Sequence, residues 1–117
     1  MYNWRTDKRS ATCYIPVTGN DNYTDIQVSV HYEPGSDYVN GSTRGYYAMI
    51  MPCKRERGFT TIVPSDGYRV YLKSAHRYSE KVFKELLETS DNTLSTYIWK
   101  ACFKFNMRMR EMDNIDA

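Results

Sequence analysis

At 117 residues, with 41% hydrophobic and 26% charged side chains, the chain has the size and composition of one folded domain and not of a disordered or two-domain protein. Its longest apolar run, 46–53 broken by Pro52, is far short of the roughly 20 residues a membrane-spanning helix needs. Sixteen Lys and Arg against 14 Asp and Glu leave a net charge of +2, which excludes an acidic mimic of DNA.

Met1 to Arg5 are followed by polar residues where a secretory leader would be apolar, and residues 1–10 read as an N-terminal arm on a single domain spanning 1–117. Residues 11–17 (ATCYIPV) are β-branched and aromatic and predict a strand, with Pro16 placing it at an edge or a strand end. After the loop residues TGNDN, the stretch 23–33 alternates Ile26, Val28, Val30 and Tyr32 with Asp25, Gln27, Ser29 and His31. That period of two predicts a strand with one face buried and one in water.

Residues 34–43 form a polar connection, and the run GYYAMIM at 45–51 is apolar on both sides, as a central strand would be. The basic tip CKRER at 53–57 leads through Gly58 to a fourth strand at 59–63. Residues 64–67 (PSDG) predict a turn into a fifth, where Tyr68, Val70 and Leu72 share one face and Arg69, Tyr71 and Lys73 the other.

All 6 Gly and all 4 Pro lie at or before Gly67, so the rest of the chain reads as helix. Ser74 or Ser79 is the expected cap of a helix over 75–89 carrying Val82, Phe83, Leu86 and Leu87 on one stripe. A second helix over 92–111 places Leu94, Tyr97, Ile98, Ala101, Cys102, Phe105 and Met109 on its buried side. Phe103, Phe105, Met107 and Met109 also alternate with polar residues as a strand would, but the helical period begins earlier and is the one adopted for 102–110. The predicted fold is therefore α+β: an antiparallel sheet of about five strands over 11–73, with a C-terminal helical hairpin packed on one face.

Little in the sequence suggests catalysis. There are only two histidines, His31 and His76, both on polar positions, and no phosphate-loop, zinc-protease, nucleophile-elbow or dinucleotide pattern. The expectation is a non-enzymatic protein without a cofactor. The three cysteines, Cys13, Cys53 and Cys102, are odd in number and far apart, which argues against a disulfide framework and for a reducing, cytoplasmic setting; sequons at Asn22 and Asn40 then carry no glycan. A metal would require the fold to gather Cys13, Cys53, Cys102, His31 and His76, none of which has close ligand spacing.

Eleven tyrosines and an uneven charge point to binding. Residues 44–110 hold 13 basic and 6 acidic side chains, a local excess of +7 suited to an anionic partner. Tyr14, Tyr32, Tyr68 and Tyr97 fall on inward stripes, whereas Tyr38, Tyr71 and Tyr78 do not. On the last helix, Phe103 and Met107 are expected to project beside Lys100, Lys104, Arg108 and Glu111, an apolar pair rimmed by charge.

The leading expectation is docking on another protein, or on a second copy of the chain, through Tyr71, Tyr78, Phe103, Met107, Lys100, Lys104 and Arg108. An inhibitor of a host defence nuclease carried by a phage or mobile element, of the anti-CRISPR type, would fit that description. The alternative is a single-stranded nucleic-acid or nucleoprotein binder using Arg69, Tyr71, Lys73 and Arg77 with Lys54, Arg55 and Arg57.

Overall fold

The computed structural model describes residues 2–35, 44–63 and 66–110. Tyr38, the sequon at Asn40, Pro64 and Ser65 of the expected turn, and Glu111 lie outside the described residues. Among the described residues the fold is α+β: seven antiparallel strands in one sheet and two helices, which lie in the chain between the sixth strand and the short seventh.

Three long strands form the body of the sheet, β2 (Ser10–Thr18), β3 (Asp25–Glu33) and β4 (Gly45–Glu56). β2 alternates strictly between buried and partly exposed residues, and β3 and β4 do so along their middles, so one face of the sheet turns to the core. The short strands divide the two outer edges between them. On β2, β1 (Arg5–Asp7) pairs with residues 10–12 and β7 (Arg108–Met109) with 17–18. On β4, β6 (Tyr68–Ser74) pairs with the first half and β5 (Phe59–Ile62) with the last. The supposed arm at 1–10 thus contributes a strand, and its Tyr2 and Trp4 reach the helices through hydrogen bonds to Ser95 (2.8 Å) and to the Leu87 carbonyl (3.3 Å).

Both helices pack on the face that carries Cys13, Ile15, Ile26, Val28, Val30, Tyr46, Ala48 and Ile50, with Phe83, Leu87, Leu94, Ile98 and Cys102 opposite them. Helix α1 (Glu80–Thr89) starts later than the sequence predicts. Ser74 is consumed as the last residue of β6, and Ser79 is the cap, its hydroxyl accepting the Val82 N–H at 3.3 Å. The buried Tyr46 hydroxyl holds the helix start in place, accepting the Ser79 N–H (2.8 Å) and donating to the Ser79 carbonyl (3.1 Å).

Helix α2 (Asp91–Lys104) stops well before residue 111, and the reason is local. Asn106 takes a left-handed conformation (φ 55°), and the chain closes with Asn106 N–H on the Phe103 carbonyl (3.4 Å) and Met107 N–H on that of Cys102 (2.8 Å). This pair of bonds is a Schellman motif, with Asn in the position glycine usually takes. The Asn20 side chain adds a hydrogen bond to the Phe105 carbonyl at 2.8 Å. The chain then runs into β7, so the rival strand pattern holds for two residues only.

Candidate functional site

The helices cover one face of the sheet, and no described element covers the other. Strand register sets what that open face displays. His31 of β3, Tyr47 of β4 and Tyr71 of β6 stand side by side across three strands. Their rings lie near parallel, with centroids 6.2 and 5.2 Å apart and interplanar angles of 25° and 21°. The next row along the sheet holds Thr12, Ser29, Met49 and Arg69, and the next Tyr14, Gln27 and Met51.

Two arginines lie flat on this surface. The Arg69 guanidinium stacks 4.2 Å from the centre of the Tyr47 ring and donates to the Glu33 carboxylate at 2.6 Å. That hydrogen bond holds the Glu33 carboxyl below its usual range and raises Arg69 further. At the far end Arg55 stacks 4.1 Å above Tyr14 and lies 3.8 Å from the Asp25 carboxylate, while Gln27 donates to the Tyr14 hydroxyl at 2.9 Å. Arg69 and Arg55 therefore each have a ring beneath them and a carboxylate beside them, whereas Arg5, opposite Thr12 in the row of Arg69, stands exposed at the edge of the face.

Cys53 lies buried next to Asp25 in the register. Burial pushes its thiol up to about 11, Asp25 adding to the effect and Arg55 opposing it. Cys13 and Cys102 belong to the core under the helices. Among the described residues no three His, Cys, Asp or Glu side chains are grouped to hold a metal ion.

A second surface lies on the helix side. Phe103 is 89% exposed and Trp99, one turn before it, 46%. With Tyr68, Lys100 and Lys104 they line a shallow hollow of about 620 Å³. The Lys100 ammonium lies 4.7 Å from the centre of Tyr97, and that of Lys104 lies 5.8 Å from Tyr68 and 5.2 Å from Phe105.

The residues singled out in the sequence are thus divided among separate places. Of the expected docking set, Phe103, Lys100 and Lys104 share the α2 surface, and Tyr71 is on the sheet face. Met107 does not join Phe103: it is 7% exposed, because the chain turns at Asn106 and carries it inward. Tyr78 is half-buried among Tyr32, Tyr46 and Phe83, with Arg9 over its ring at 5.0 Å and its hydroxyl on the Lys8 carbonyl, so it packs rather than projects. Arg108 is in β7.

Of the nucleic-acid set, Arg69, Tyr71 and Arg55 share the open face. Lys73 does not follow Tyr71 in register, since a bulge pairs Tyr71 with Tyr47 but Lys73 with Tyr46, a core residue. Lys54 is tied to Glu56 (3.7 Å) and the Asp21 carbonyl; Arg57 occupies the β4–β5 turn and Arg77 the exposed segment before α1. Tyr14, expected inward, faces out with Thr12, because Ala11, Cys13, Ile15 and Val17 take the inner positions.

Tyr47, His31, Met49 and Trp99 were not marked as site residues by the sequence. The alternation of GYYAMIM does put Tyr47 and Met49 on one side, and Trp99 and Phe103 are one turn apart off the buried stripe. No protein family matches the chain, no curated protein matches its sequence and no solved structure matches its fold. No helix among the described residues is long and apolar enough to cross a membrane.

Proposed function

We propose that the chain works by docking on another protein through the open sheet face, with Tyr47 and Tyr71 as anchors and His31, Met49, Arg69, Tyr14 and Arg55 around them. The observation that carries this reading is the internal neutralisation of both arginines. A surface that binds nucleic acid draws most of its affinity from cations free to replace counterions on phosphates. Here Arg69 and Arg55 are matched by Glu33 and Asp25, so neither is free to replace a counterion.

Tyr, Met and Arg on a stiff support, with few lysines among them, are instead the composition of protein interface centres. Tyrosine and ring-stacked arginine lose little rotamer freedom on contact, which favours affinity at modest area. The partner implied is a near-neutral surface that offers apolar side chains to the rings and hydrogen-bond acceptors to the outer edges of the guanidinium groups.

Capture from the native lysate with the unaltered chain and with Tyr71→Ala and Met49→Lys tests this. One partner retained by the former and lost at least about tenfold by both variants, with unchanged thermal unfolding, is the expected result. If the captured partner is a nuclease, inhibition of its activity follows the same order of variants. The nucleic-acid alternative makes the opposite prediction for Glu33→Gln, which frees Arg69. A salt-sensitive shift of single-stranded DNA that grows with Glu33→Gln and vanishes with Arg69→Ala would overturn the protein-docking reading.

A further inference from the structure

The outer surface of α2 differs in chemistry from the sheet face and stands independently of it. We propose that it is a docking site for an acidic segment of another protein that carries a bulky apolar side chain. Three observations converge on that occupant.

The first is Phe103. A side chain 89% exposed on a well-formed helix contributes almost nothing to folding, yet it stands one turn from the half-exposed Trp99, and together with Tyr68 they form an open, shallow hollow with a mostly apolar floor. Exposed aromatic rings grouped in this way offer an apolar side chain a surface to pack against. The second is charge. The hollow is lined by Lys100 and Lys104 and by no carboxylate among the described residues.

The third is the state of those lysines. Neither is ion-paired with a described carboxylate, in contrast to Lys84, Lys54, Arg69 and Arg55, which all are. Both ammonium groups rest near aromatic rings at the rim. Lys104, in the last turn, also offsets the helix dipole, but this accounts for neither Lys100 nor Phe103. Lys100 and Lys104 are one turn apart, so their stems are about 5–6 Å apart, a spacing two carboxylates of a short segment can match.

An apolar residue seated between Trp99 and Phe103, with acidic residues on either side facing the two lysines, satisfies both features at once. Two cations are too few to hold a nucleic acid or an anionic bilayer at physiological salt, where several contacts are required.

Panning a random short-peptide display library against the full chain tests the proposal without knowledge of the partner. Enriched peptides are expected to be net acidic with a central Leu, Phe or Trp. A labelled enriched peptide should lose at least about tenfold in affinity to Phe103→Ala and to the Lys100→Glu, Lys104→Glu pair, with thermal unfolding unchanged. The charge-reversed pair should accept the same peptide with its acids replaced by lysine. Tyr71→Ala, on the sheet face, should leave the affinity as it is, so failure here and failure of the sheet-face reading are distinguishable. No enrichment, enrichment of neutral or basic peptides, or equal binding by Phe103→Ala would overturn the proposal. So would saturable binding of phosphatidylserine vesicles or oligothymidylate that is weakened by the same substitutions.

Discussion

Phe103 and Met107 are four residues apart, and their substitution separates the two roles an apolar residue can have. Phe103→Ala should change stability by no more than about 0.5 kcal/mol, because an exposed ring loses little on removal. Met107→Ala, at a buried position, should cost about 2–4 kcal/mol in chemical denaturation. Cysteine chemistry gives a second residue-scale expectation. All three thiols are buried and Cys53 is held protonated at neutral pH, so iodoacetamide should label none in the native chain and all three after unfolding. At this scale the sequence was readable where alternation is strict, as for Ile26, Val28 and Val30. It misled at Tyr14, where a large ring on an amphipathic strand looked like a core residue although smaller neighbours fill the inner row. Register decided the rest: nothing in a one-dimensional pattern places His31 opposite Tyr47 and Tyr71.

Among the elements, the end of α2 and the β4–β6 pairing govern what reaches each surface. Asn106 pays a left-handed backbone cost that glycine avoids, so Asn106→Gly should hold or raise stability, while Asn106→Ala should lower it by about 1 kcal/mol. Gly45 marks the close approach of β4 to β6, where an added Cβ would collide with the Lys73 carbonyl. Gly45→Ala should therefore disturb the pairing that sets Tyr71 beside Tyr47, read as chemical-shift changes in both rings along with a loss of roughly 1–3 kcal/mol. The five strands over 11–73 and both helices were legible as elements, whereas β1, read as an arm, and β7, read as helix, were not, being too short to show an apolar period. Nor was the stop at Asn106, since asparagine adopts the left-handed conformation there without the Gly or Pro that marks a helix end in sequence. The bulge at Leu72 was likewise hidden, as it depends on the partner strand.

For the molecule as a whole, the two surfaces lie on opposite sides of the sheet, one open and one behind the helices. A partner on each should form a ternary complex in size-exclusion chromatography, with neither displacing the other. Within the chain itself, acid should act on the sheet side. Glu33 has its carboxyl lowered by Arg69, so the pair is intact above the ordinary carboxylate range and is lost as pH falls through the depressed value. Both side chains are roughly half exposed, which limits the stability change to under about 1 kcal/mol, but the face would gain net positive charge. Sheet-face docking should thus weaken in acid before the fold does, with Glu33→Gln mimicking the effect at neutral pH.

The placement of the short strands has one more consequence. Because β1 and β7 share one long edge of the sheet and β5 and β6 the other, neither β2 nor β4 offers a continuous row of main-chain groups to an incoming strand. Recognition by strand addition, which reads backbone and tolerates many sequences, is thereby restricted at its longest strands to the short gap at residues 13–16 of β2. What the long strands β2 and β4 offer a partner is therefore chiefly their side chains, which makes recognition there sensitive to single substitutions.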